Sequence, residues 1–138
     1  MMREILFRGK DSITKRWVYG ALVQQQDDPL KEKAFIISYS NYQFGDFSEA
    51  VMHEVDPETV GQYTGFVDKK GKKIFEGDIL SIYNSKAFLF AVEWNNQYVL
   101  KCTTNGVSDN ILNVIESPED VEVVGNIYDN PELIKDGE

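Results

Sequence analysis

Alternation of apolar and polar side chains runs through most of the chain, and a period of two predicts strands rather than helices. Over residues 3–9, Ile5 and Phe7 share one face, Lys10 to Lys15 reads as a polar loop, and Arg16 to Gln24 is rich in aromatic and β-branched residues. The N-terminal stretch therefore predicts a β-hairpin, broken at Asp27-Asp28-Pro29. Ala34 to Tyr39 and Ala50 to Val55 predict two more strands around a loop, Asn41 to Ser48, that contains Gly45. Further strands follow at Val60 to Phe66, Ile79 to Tyr83, Lys86 to Trp94, Gln97 to Thr103 and Val121 to Ile127, and Ile74 and Phe75 return the chain to an apolar surface between the first two. In Lys86 to Trp94, Phe88, Phe90, Val92 and Trp94 line one face and Ala87, Leu89 and Ala91 the other, so burial on both sides is expected. Thr104 to Asn110 reads as a polar loop, and Ile111 to Ile115 fits either a helix or a strand.

The connections carry their own chemistry. Asn95-Asn96 tolerates left-handed backbone and predicts a tight hairpin between its flanking strands. Asp68-Lys69-Lys70-Gly71-Lys72 is a polar turn in which Gly71 takes a positive φ at no steric cost, and Gly77-Asp78 is another turn, closed by the Asp78 carboxylate on the amides that follow it. Asp56-Pro57-Glu58, Ser117-Pro118-Glu119-Asp120 and Asn130-Pro131-Glu132 each place a capping side chain before a proline, which predicts one-turn helices.

At 138 residues with 42% hydrophobic side chains, the chain is long enough to bury one core. A single domain over residues 1–138 is expected, with possible lobes at 1–59 and 60–138. The formal charge of -9 opposes general binding to nucleic acid or anionic membrane and serves solubility first. Charge is blocked: residues 1–20 and 69–105 are net positive, and 21–68 and 106–138 net negative. Cys102 is the single cysteine, which excludes an intramolecular disulfide, and the longest apolar run, Ala87 to Val92, falls short of a membrane span. A cytoplasmic protein that does not enter the membrane is expected.

The stretch Val60-Gly61-Gln62-Tyr63-Thr64-Gly65-Phe66, followed by Asp68-Lys69-Lys70-Gly71-Lys72-Lys73-Ile74-Phe75-Glu76-Gly77-Asp78-Ile79, resembles the central signature of the YopX family of phage and prophage proteins. Arg3-Glu4-Ile5 with Phe7-Arg8, then Trp17-Val18-Tyr19-Gly20, and finally Gly125-Asn126-Ile127-Tyr128-Asp129-Asn130-Pro131-Glu132-Leu133 are similar to the family's ends. The resemblance implies a mainly β fold, with a small SH3-like barrel in the C-terminal half beside an N-terminal hairpin lobe, and a phage or prophage context. It implies no catalytic residues and no cofactor.

The candidate chemistry is sparse. His53 is the only histidine; beside Glu54 it offers a base or a metal ligand, but adjacent strand residues point to opposite faces, and no spaced His/Cys set accompanies it. Cys102 lies within a predicted strand with no helix start to activate it. No phosphate-binding glycine loop and no Gly-x-Ser-x-Gly turn is present. The strongest patch is the hairpin tip with Lys69, Lys70, Lys72 and Lys73, beside Tyr63 and Phe66. Four cations on one turn suit phosphate or an acidic protein surface, while the ordinary role of edge lysines is to discourage sheet association. The acidic residues Glu116, Glu119, Asp120, Glu122, Asp129 and Glu132 offer the opposite charge, and their ordinary role is a solvated face.

The expectation is a non-enzymatic protein-binding β module, with homo-oligomerisation through its opposed patches in view. A nucleic-acid module using Lys69 to Lys73 is the alternative, and a small hydrolase around His53 stands third.

Overall fold

The computed structural model of the chain describes residues 3–25, 32–39, 50–85, 89–103, 106–111, 115 and 117–134. The expected break at Asp27-Asp28-Pro29, the Asn41 to Ser48 loop, the start of the strand at Lys86 to Phe88, and Glu116 lie outside them. The protein is mainly β. Its strands are β1 (Phe7–Lys10), β2 (Trp17–Gln25), β3 (Lys33–Tyr39), β4 (Ala50–Val55), β5 (Gly61–Val67), β6 (Lys73–Phe75), β7 (Asp78–Ile82), β8 (Leu89–Trp94), β9 (Tyr98–Cys102), β10 (Ser108–Asn110) and β11 (Val121–Asn126). Contacts divide the chain into two compact units, Met1–Gln62 and Tyr63–Glu138.

In the first unit, β1 to β4 form an antiparallel meander, with Phe7 opposite Gly20, Leu22 opposite Ile36 and Ile36 opposite His53. The first two residues of β5 pair with β1. One face of the meander carries Ala34, Ile36 and Val55, all buried, with Phe7, Val18, Leu22 and Val60 packed against them. Gly20 has no alternative: a Cβ there would overlap the carbonyl oxygen of Ile37 on the neighbouring strand. The two ends of the meander meet, since Asp11 forms a lone bridge with Val55, the Ser12 amide donates to the Glu54 carbonyl, and the Asp56 amide donates to the Lys10 carbonyl.

In the second unit, five antiparallel strands follow the order β10-β9-β8-β7-β11. Ile74, Leu80, Ile82, Val92, Leu100, Ile111, Ile115 and Val121 form its buried core, each aliphatic side chain contributing about 1.5–3 kcal/mol by leaving water. The β8–β9 hairpin forms as expected, with Trp94 opposite Tyr98 and Asn96 in left-handed conformation at φ 59°. Ala91 and Val92 are both buried, but Trp94 is 57% exposed: at the hairpin tip its indole meets the Tyr98 ring in a T-shaped contact, 4.8 Å between centroids.

Three expectations are corrected here. Part of the polar stretch 104–110 is a strand, β10, because backbone pairing to β9 holds Ser108 to Asn110 in register without any apolar side chain. The described strands form no closed barrel, so the SH3-like barrel is met only as an open sheet with β10 and β11 at its ends. The one-turn helices form at Pro57–Thr59, Pro118–Asp120 and Pro131–Leu133; Asp56 and Ser117 cap the first two with their side chains, whereas Asn130 does not cap the third. Asp78 is 1% exposed, and its Oδ2 accepts from the Phe75 amide, three residues earlier, at 2.8 Å.

Candidate functional site

The lysine turn is built around a carboxylate. Asp68 is 3% exposed; its Oδ1 accepts from the Lys70 and Lys72 amides at 2.9 Å, and its Oδ2 accepts from the Val123 amide on β11 at 3.0 Å. The Lys69 amide donates to the Val121 carbonyl, so turn and strand are joined by backbone as well. Burial pushes the Asp68 carboxyl up, but the Val123, Lys72 and Lys70 amides outweigh it and hold the group below its ordinary value. Gly71 turns the corner at φ +79° with open space where a Cβ would be.

That anchoring fixes where the four lysines go. Lys69 reaches the Asn84 side-chain oxygen at 2.8 Å and Glu122 at 3.2 Å, and Lys70 reaches the other oxygen of Glu122 at 2.9 Å. The pairing with Lys70 and Lys69 holds the Glu122 carboxyl low and raises Lys70. Two of the four cations thus share one carboxylate of the acidic block. Lys72 is exposed, and Lys73 lies 5.7 Å from the Tyr63 ring centroid. Tyr63 is half-buried, with Phe75 tilted against it at 5.7 Å, so part of its ring is already covered. Phe66 packs on the second core.

Beside the Glu122 fork lies an open cavity of about 440 Å³, lined by Ser81, Asn84, Ser85, Leu89, Glu122, Val124 and Leu133. Three devices shape it. A β-bulge in β11 shifts the register between Val123 and Gly125, leaving Val124 unpaired and 42% exposed at the lining. Tyr83 and Asn84 both adopt left-handed backbone, φ 55° and 57°, and the Tyr83 amide donates to the Asp120 carbonyl at 2.7 Å. Asparagine tolerates this conformation; consecutive placement with a bulky tyrosine is a local strain of the kind found at binding loops. Finally, the Asn126 side chain accepts from the Tyr128 and Asp129 amides, and Asn130 folds back onto the Asn126 amide, a turn that delivers Leu133 to the cavity. Gly125 makes room for this turn, since a Cβ there would sit 2.5 Å from the Asn130 side-chain oxygen and displace it.

A second arrangement lies in the first unit. His53 on β4 has Nδ1 3.2 Å from Asp11 Oδ2 and Nε2 3.2 Å from Ser38 Oγ on β3. Glu54, its expected partner, is exposed and is not the group His53 meets; alternation sends it to the other face. Cys102 is buried in β9. Among the described residues no cluster of His, Cys, Asp and Glu is placed to hold a metal ion, and no helix is long and apolar enough to cross a membrane.

Sequence reasoning located the lysine turn but missed Asp68 as its anchor, Glu122 as its counter-ion and the cavity beside it. An Asp three residues before a glycine was the available signal for the anchor. The cavity residues come from β7, β8, β11 and the C-terminal turn, and no local pattern joins them.

Comparison with known proteins places the chain in a family and finds solved structures of similar fold. The family model described as "YopX protein" matches residues 6–135. The crystal structure of protein EF1440 from Enterococcus faecalis is similar in fold, with a TM-score of 0.55 and 23% identity over 97% of this chain and 100% of that one. No curated protein matches.

Proposed function

The chain belongs to the YopX family, and we propose that its second unit is a binding module that takes a short acidic-apolar segment of a partner protein. The observation that carries this reading is that Glu122 both lines the cavity and ties down Lys69 and Lys70. An apolar side chain of the partner enters beside Leu89, Val124 and Leu133, and its carboxylate takes Lys70, whose side chain is 71% exposed. An ion pair that exposed is worth little to the fold and exchanges readily for a partner's group. Apolar lining with a few convergent polar groups is the usual composition of a ligand site.

Tyr63, Lys72 and Lys73 extend the same basic surface. The family context supports a phage or prophage accessory role in the host cytoplasm. The loops and edges of the open five-stranded sheet supply the remaining contacts.

Selection from a random peptide library tests the reading. Enrichment of peptides pairing an aliphatic or aromatic residue with Asp or Glu is expected, with affinity falling at least about tenfold for Val124→Asp and for Lys70→Glu. Failure to enrich any such motif, or binding indifferent to both substitutions, overturns it. Tight binding of single-stranded oligonucleotides that Lys72→Glu and Lys73→Glu abolish would put nucleic acid in the partner's place.

A further inference from the structure

Ser38, His53 and Asp11 stand in a line of two hydrogen bonds, each 3.2 Å, drawn from β3, β4 and the loop after β1. The register explains how they meet. Ile36 lies opposite His53 and Ser38 opposite Val51, so Ser38 and His53 are diagonal neighbours on the face that also carries the buried Ile36 and Val55. Asp11 is delivered to the same place by the bridge with Val55 that brings the ends of the meander together.

The polarity of this line is set by the aspartate. Asp11 Oδ1 accepts from the Thr14 and Ile13 amides at 3.0 and 2.8 Å, and these bonds, with His53 on the other oxygen, keep the carboxyl below its ordinary value. An ionised carboxylate only accepts, so the hydrogen of a neutral imidazole belongs on Nδ1. Nε2 then presents its lone pair to the Ser38 hydroxyl. All three groups are partly shielded: the Asp11 side chain is 13% exposed, that of His53 26%, and Ser38 is half-buried. The competing hydroxyl, Ser12, is taken up by the Glu54 carbonyl at 3.2 Å.

We propose that Ser38 is a base-assisted nucleophile, with His53 as its base and Asp11 as the positioning residue, that takes an acyl group from a small activated ester and passes it to water. In the first step the Ser38 Oγ–C bond forms as the Oγ proton moves to Nε2, and the ester C–O bond breaks as the alcohol leaves with that proton. In the second, water adds to the acyl carbon and gives its proton to Nε2. The Oγ–C bond then breaks, the proton returns to Ser38, and a carboxylic acid is released. This is the nucleophile–base–orienter pattern that recurs on unrelated folds, here carried on paired strands. It is independent of the cavity in the second unit.

The test is a fluorophosphonate probe, which forms a stable bond to a base-activated serine, with the site found by peptide mass spectrometry and p-nitrophenyl acetate turnover measured in parallel. The expected result is a single adduct on Ser38, absent in Ser38→Ala and reduced at least about tenfold in His53→Gln. Asp11→Glu retains labelling while Asp11→Asn loses it, a contrast that a merely structural carboxylate would not give if both variants keep the wild-type melting temperature. Wild-type protein that remains unlabelled, or an adduct on another residue, overturns the proposal, as does Ser38 labelling indifferent to His53→Gln in folded protein.

Discussion

Asp68 reaches across from its turn to the amide of Val123, a partner 55 residues further along the chain, and so binds the lysine hairpin to the last strand. The same carboxylate receives the Lys70 and Lys72 amides. One buried side chain thereby sets both the shape of the turn and the place where Lys69 and Lys70 meet Glu122.

Replacing that carboxylate tests the anchor. Asp68→Asn leaves one oxygen where three amides converge, and hydrogen bonds to a charged acceptor are worth about 1.5–3 kcal/mol each. A loss of about 2 kcal/mol is expected in urea denaturation at neutral pH, with an unchanged slope.

The sign of the acid dependence follows from the same group. The folded-state Asp68 carboxyl lies below its ordinary 3.8, so its contribution is present above that value and disappears as pH falls through the folded one. The gap between wild type and Asp68→Asn should close as urea midpoints are followed from pH 5 down to pH 2.

Two glycines with positive φ make a matched pair. Gly71 (φ +79°) has nothing near a would-be Cβ, while at Gly77 (φ +89°) the Tyr128 ring is 3.0 Å away. Alanine at position 71 should cost about 1 kcal/mol from backbone strain alone. At position 77 the same change should cost clearly more, since Tyr128 must also shift, and comparing the two denaturation midpoints measures the difference.

Glu122→Gln releases Lys69 and Lys70 from their shared carboxylate. Because the pairing is open to solvent on the Lys70 side, the melting temperature should move by less than about 5 °C, and by less still in concentrated salt. A large fall would mean that the fork is structural and not a rim that exchanges its partner.

Much of the fold was legible because strands announce themselves locally. The period-two pattern found the β1–β2 and β8–β9 hairpins, and the Pro-Glu triplets found the one-turn helices at Pro57, Pro118 and Pro131, since such turns depend on adjacent residues. β10 was missed because backbone pairing to Lys101, Leu100 and Val99 creates it, without an apolar face of its own. The lysines were legible as charge, but not that Glu122 neutralises part of them. Nor was Asp11 legible as the partner of His53, 42 positions away, because that contact exists only where the meander's ends meet.

Mapping backbone amide shifts while an acidic-apolar peptide is titrated into the isotopically labelled protein tests the central claim most directly. The account predicts that the perturbed amides cluster at Asn84, Ser85, Leu89, Val124 and Leu133, with Lys69 and Lys70 beside them, and that Val124→Asp abolishes the response. Saturable shifts confined to residues away from that cavity, or none at millimolar peptide, would contradict it.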